Sequence, residues 1–152
     1  MQARTSGSPA YVKTRALYES TYPDAKLGVY TEEDWARLRT AEGLALGSSA
    51  LDIGPGNGAL LQILARSGKH TRIHGVDIHR HSQLLLPEGV DYHLQSITDL
   101  EFADRDFDTV FCMEVLEHLE SPDLEPGLAQ LRRVAKRRLV MTVPYHEPHP
   151  LW

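Results

Sequence analysis

From residue 49 onward, short apolar runs alternate with stretches whose apolar residues recur every three or four positions. Ala50-Leu51-Asp52-Ile53 reads as a short strand running into a glycine turn, and residues 59–66 as a helix closed by Ser67-Gly68. Residues 72–76 and 90–94 read as second and third strands. Residues 107–112 form a fourth, almost wholly apolar past Asp108, as expected of a strand covered on both faces. Leu124, Leu128, Leu131 and Ala135 then repeat at helical spacing, and residues 138–143 make a fifth strand. Strand and helix in this alternation predict an α/β, doubly wound, mostly parallel sheet of about five strands. Its crossovers are right-handed and its helices lie on both faces.

Upstream, Thr31-Glu32-Glu33-Asp34 has the look of a helix start: a Thr cap, acids in the first turn, and Trp35, Leu38, Ala41 and Leu44 behind them. Gly47 and the serines after it are expected to end that helix. Residues 11–20 suit a short helix, residues 21–30 a loop, and the polar residues 1–10 a frayed tail rather than a signal peptide. The expected organisation is a single domain in two parts. Residues 1–48 form an N-terminal helical segment or lid, whose Tyr11, Tyr18, Tyr22 and Tyr30 close over a site, and residues 49–152 form the core.

Composition narrows the partners. The 152 residues carry a net charge of −5, which argues against binding a phosphate backbone. The basic cluster Arg132-Arg133 with Lys136-Arg137-Arg138 fits the wet face and end of a helix, where cations complement the dipole. A single cysteine, Cys112, excludes an internal disulfide framework and fits a reducing compartment. No apolar run approaches membrane-spanning length, so the expectation is a cytoplasmic protein with no nucleic-acid or membrane partner.

The chemistry concentrates in residues 51–60, Leu-Asp-Ile-Gly-Pro-Gly-Asn-Gly-Ala-Leu. A strand that ends in glycines and flows into a helix lets a ligand approach the backbone closely, near free N–H donors. Gly54-x-Gly56-x-x-Ala59 also satisfies the dinucleotide fingerprint, but there the position of Asp52 packs in the core and is apolar. A carboxylate at that strand end is costly to bury alone and suits a cationic ligand instead of a pyrophosphate. Asp77 closes the second strand 23 residues after Gly54, close to the spacing of a ribose-binding acid.

Asp52-x-Gly54-x-Gly56-x-Gly58 resembles motif I of the class I S-adenosylmethionine (SAM)-dependent methyltransferases, which have a Rossmann-like fold. Gly75-Val76-Asp77-Ile78, the stretch 100–119 and residues 139–144 resemble that family's second, fourth and fifth strand regions, in its small-molecule, type 11-like branch. The resemblance implies SAM as cofactor and a small-molecule methyl acceptor, and it allows a homodimer. It implies that Asp52 anchors the methionine end, that Gly54, Gly56, Asn57 and Gly58 let the cofactor lie on the backbone, and that Asp77 accepts the ribose hydroxyls. Ile78 would pack on adenine, Ser96 and Ile97 would face its edge, and Met113 would bring carbonyls to the amino-acid end. The family usually has an acid where Ser96 stands and a glycine-rich turn where Lys136-Arg137-Arg138 runs into the fifth strand. Its sheet continues with two further strands, so the resemblance reads this chain as incomplete at its C-terminal end.

Glu117-His118 reads either as an acid/base pair or as a fixture holding a short helix to the sheet. His146, in Tyr145-His146-Glu147-Pro148-His149-Pro150, follows the fifth strand at the edge where ligands collect. His118 and His146 are therefore the candidate catalytic residues. His79 and His81, two apart, do not share a helix face, and no metal site is expected. Two other readings stay open: a SAM-binding module or partner subunit without catalysis, and an NAD-dependent oxidoreductase.

Overall fold

A computed structural model describes residues 4–5, 12–13, 15–16 and 30–145. The described residues form a six-stranded sheet in which every neighbouring pair is parallel. In chain order the elements are β1 (Arg4–Thr5), α1 (Glu32–Gly43), β2 (Ser49–Ile53), α2 (Ala59–Ser67), β3 (Arg72–Asp77), β4 (Val90–Leu94) and β5 (Phe107–Met113). A 3-10 turn (Leu116–His118), α3 (Ser121–Val134) and β6 (Ala135–Thr142) complete them. The five longer strands are those the alternating pattern predicts. β1 is a correction, because residues read as a polar tail put Arg4 and Thr5 in register with His93 and Leu94.

Local chemistry sets the element ends. Thr31 and Asp34 form a reciprocal capping box: the Thr31 hydroxyl accepts from the Asp34 N–H at 3.2 Å, and the Asp34 carboxylate accepts from the Thr31 N–H at 2.8 Å. The helix stops at Gly43, earlier than expected, and leaves Leu44 exposed. α2 ends on Gly68 in the left-handed conformation (φ 66°). α3 passes directly into β6, with Ala135 as its cap, so the last strand starts three residues ahead of the expected Arg138.

That early start also corrects the reading of the basic cluster. Lys136, Arg137 and Arg138 lie on a strand instead of a helix end, and Arg138 donates to the Leu44 carbonyl at 2.6 Å. Arg133 is a structural clamp, donating to the carbonyls of Leu100 (2.7 Å) and Phe102 (2.6 Å) and pairing with Asp104.

The sheet has a core on each face. Leu38 and Ala41 of α1, with Leu60, Leu61 and Leu64 of α2, pack against Ala50, Ile73 and Phe111. Leu131 and Val134 of α3 pack on the other face against Leu51, Ile53, Val110 and Cys112. Leu61, Leu64 and Leu131 are wholly buried, and each such side chain stabilises the fold by about 1.5–3 kcal/mol. The strand order β1-β4-β3-β2-β5-β6 places β2 centrally. From β2 the chain winds outward through β3 and β4, then returns to the far side of β2 as β5. Connections at the carboxyl ends of β2 and β5 therefore diverge, which opens a crevice at that edge.

Candidate functional site

The crevice is floored by the glycine loop. The Gly54 N–H donates to the Val76 carbonyl at 2.7 Å, which extends the ladder one residue past β2 before the chain turns. Gly54 (φ 70°) and Gly58 (φ 85°) both sit in the left-handed region. A Cβ at Gly54 would lie 2.5 Å from Val115 Cγ2, and one at Gly58 would lie 2.6 Å from the Leu85 carbonyl oxygen. Conformation and close approach thus both demand glycine at these positions. Gly58, the N-cap of α2, has no side chain to cap with, and the Asn57 carboxamide oxygen instead accepts the Ala59 N–H at 3.1 Å.

Two carboxylates stand at the ends of the strands that flank this loop. Asp52 is buried, its Oδ2 finds no hydrogen-bond partner among the described residues, and burial followed by the nearby Asp77 charge holds its pKa well above the carboxylate range. Asp77 is pushed up to about 6 by burial, against the backbone N–H groups of Ile78, His79 and Gly56, which favour its charged form. The Ile78 N–H donates to it at 2.7 Å. Two buried acids, the second of which opposes ionisation of the first, with an Asp52 oxygen that has no partner among the described residues, form an arrangement short of positive charge.

Opposite, at the end of β5, Met113 is half-buried and its Sδ accepts from the Thr142 hydroxyl at 3.9 Å. Glu114 is a non-glycine residue at φ 56°, held by its N–H on the Thr142 carbonyl at 3.1 Å and Thr142 Oγ1 at 3.2 Å. Backbone strain of this kind gathers at functional sites. The Glu114 carboxylate meets Arg37 of α1 at 3.5 Å, and Arg37 also pairs with Asp34 at 2.8 Å. Arg37 Nε is buried and finds no acceptor among the described residues. Tyr30, whose ring lies 5.3 Å from that of Trp35, feels the field of Asp52: burial first, then Asp52 and Asp34, raise its pKa, while Arg37 lowers it. The segment before β2 therefore reaches the same edge of the sheet.

The structure gathers Asp52, Gly54, Gly56, Asn57, Gly58, Asp77, Ile78 and Met113 along the carboxyl ends of β2, β3 and β5. Ser96 and Ile97 follow β4. Ser96 is wholly buried, with its hydroxyl 2.8 Å from that of Thr98, and Ile97 packs in the core near Gly127. His118 is exposed at the end of the 3-10 turn. The His79 and His81 rings meet edge to face at 4.8 Å. His146 and His149, and Tyr11, Tyr18 and Tyr22, lie outside the described residues. Arg37 and Glu114 were not singled out from sequence. They are 77 positions apart, and the one signal was an Arg one turn beyond the helix start. Among the described residues, no group of three or more His, Cys, Asp or Glu is placed to hold a metal ion, and no helix is long and apolar enough to cross a membrane.

A parallel doubly wound sheet with a glycine loop and paired carboxylates at its switch point defines a Rossmann-like ligand-binding domain. Residues 51–140 match the family described as Methyltransferase domain, and the chain belongs to that family. It is 32% identical over 119 residues to a ubiquinone biosynthesis O-methyltransferase of Aeromonas salmonicida, covering 72% of this chain and 48% of that one. A protein of the same name from Hahella chejuensis is 38% identical over 98 residues, covering 59% of this chain and 40% of its own. The chain thus spans about half the length of the curated relatives it matches. The fold is shared with the Burkholderia thailandensis 1,6-didemethyltoxoflavin-N1-methyltransferase, solved with S-adenosylhomocysteine. The TM-score is 0.66 at 19% identity, over 93% of this chain and 66% of that one.

Proposed function

We propose that this protein is a SAM-dependent methyltransferase acting on a small-molecule acceptor. The observation that carries the reading is Asp52, a buried carboxylate whose Oδ2 has no partner among the described residues, beside a second raised acid and a glycine loop. A ligand bearing positive charge relieves that arrangement, and SAM carries both an ammonium and a sulfonium. Asp52 anchors the methionine end, Gly54, Gly56, Asn57 and Gly58 form the bed, and Asp77 takes the ribose hydroxyls. Ile78 packs on adenine with Ser96 and Ile97 behind its edge, while Met113 contributes backbone at the amino-acid end. Arg37 keeps a buried donor for an anionic group, and the methionine end of SAM carries a carboxylate.

When bound, SAM supplies a methyl group already activated on sulfur for in-line displacement. The protein's share is to orient the acceptor and exclude water, and orientation supplies much of the acceleration. Tyr30 and α1, as part of residues 1–48, close over the core formed by residues 49–152. His118 and His146 act as base only for an acceptor that arrives protonated. The curated relatives are named as O-methyltransferases, which supports a hydroxyl acceptor. The reading further places the protein in the cytoplasm and allows a homodimer, which sedimentation measures.

The test is calorimetric titration of SAM, S-adenosylhomocysteine and NAD into the wild type and Asp77→Ala. Binding of the two sulfur ligands, weakened at least tenfold in the variant, is the expected result. A folded wild type that binds NAD, or neither sulfur ligand, overturns the proposal. Binding without turnover across a panel of phenols and other hydroxyl acceptors would favour a non-catalytic SAM-binding module.

A further inference from the structure

We infer that Tyr92 of β4 is a positioning residue for the nucleoside half of the cofactor, an inference that rests on the SAM site proposed above. Tyr92 is 4% exposed, and its hydroxyl donates to the His79 carbonyl at 3.0 Å, two residues past Asp77. The His79 and Ile78 N–H groups are in turn donors to the Asp77 carboxylate, as is that of Gly56 from the glycine loop. Residues 77–79 therefore curl back on the carboxylate, and Tyr92 holds the outer end of the curl. The guanidinium of Arg80 lies 5.2 Å from the centre of the Tyr92 ring, on the same turn.

The ring has a second task. Tyr92 is the register partner of Gly75 on β3. A Cβ at Gly75 would lie 3.1 Å from Leu61 Cδ1, 3.2 Å from Tyr92 Cδ2 and 3.4 Å from Pro55 Cγ. Leu61 of α2, Tyr92 and Pro55 of the glycine loop thus converge on one hollow, in which an added Cβ would press on all three side chains. One side chain braces the loop that carries Asp77 through its hydroxyl, and its ring shares that hollow with the loop that carries Gly54 to Gly58. Tyr92 touches no ligand in this account. It sets the direction of the Asp77 oxygens, and so the fit to a ribose diol.

Tyr92→Phe keeps the ring and removes the hydroxyl, which leaves the His79 carbonyl without that donor. Losing one such hydrogen bond weakens binding of S-adenosylhomocysteine and of adenosine by a similar factor, roughly three- to tenfold. The preference for adenosine over 2′-deoxyadenosine shrinks by about the same factor, because the diol no longer meets a fixed carboxylate. With its donors loosened, Asp77 releases its proton at higher pH, so the acid-side fall in affinity moves upward. A merely structural tyrosine would lower the melting temperature of the free protein and leave the nucleoside preference and the pH profile where they were. Gly75→Ala presses on the same ring from β3 and gives a second test, with the same loss of 2′-hydroxyl preference expected. Unchanged preference and pH profile in folded Tyr92→Phe, or unchanged preference in Gly75→Ala if the first variant does not fold, overturns the inference. A wild type that binds neither S-adenosylhomocysteine nor adenosine overturns the cofactor reading instead, and the inference with it.

Discussion

Asp52 sits where a folding protein gains nothing from an acid. Its neighbours Leu51 and Ile53 are core residues, its Oδ2 has no partner among the described residues, and Asp77 opposes its ionisation. Removing the charge while keeping the shape should therefore help the free protein and harm the complex. Asp52→Asn is expected to raise the melting temperature of the free protein at pH 8 and to weaken S-adenosylhomocysteine at least tenfold; a calorimetric scan and a titration on one sample check both. Asp77 adds a pH dependence with a definite sign. Its folded pKa, about 6, lies above its ordinary 3.8, so between those values the native state holds more proton than the unfolded chain. Stability is then fullest below about pH 4 as far as this group is concerned, and declines as pH rises through 6. At about 1.4 kcal/mol for each pH unit, the decline is about 3 kcal/mol. Urea unfolding at pH 4, 5, 6 and 7 should show it, and Asp77→Asn should flatten the slope. Cofactor affinity runs the opposite way, rising through pH 6 as the carboxylate ionises.

Among elements, legibility followed the range of the interaction. The capping box at Thr31, the glycine turn after β2 and the closing Gly68 are set by residues within a few positions, and the sequence pattern shows them directly. Asp52 and Asp77 were readable because strand ends at fixed spacing carry them. Contacts made across the sheet left no local mark. Arg133 looked like a wet helical cation, and only the packed fold reveals it tying Leu100, Phe102 and Asp104 to α3. Glu114 resembled any acid after a strand until its φ of 56° and its pairing with Arg37 were visible. β1 was missed because two residues have no period to detect; the exposed ladder of β4 recruits them. The clamp makes a prediction at this scale. Arg133→Met retains the stem but leaves two carbonyls without charged donors, and such bonds are worth about 1.5–3 kcal/mol each. At about 2–4 °C for each kcal/mol, a drop in melting temperature of roughly 6–24 °C is expected for a domain of this size. The loop that follows Ser96 and Ile97 should also show faster amide exchange.

At the scale of the whole molecule, the proposed site draws on parts far apart in sequence: Tyr30 and Arg37 ahead of the sheet, Asp52 on β2, Asp77 on β3, Met113 at the end of β5 and Glu114 just after it. A ligand that engages all of them links α1 to the core more tightly than the free protein does. Ligand held at 100 times its dissociation constant stabilises the native state by about 2.7 kcal/mol. For a chain of this length that corresponds to a rise in melting temperature of roughly 5–10 °C. S-adenosylhomocysteine should produce that rise and NAD should not. The distribution of the effect is more telling than its size. If α1 closes on the cofactor, amides of Leu38, Ala41 and their neighbours gain protection on binding, and Arg37→Met reduces that gain while leaving the protection of β2 and β3 largely in place. Protection confined to the glycine loop and β3 would instead mean that α1 serves only the hydrophobic core, and that the Arg37–Glu114 pair is a surface contact without a ligand to receive.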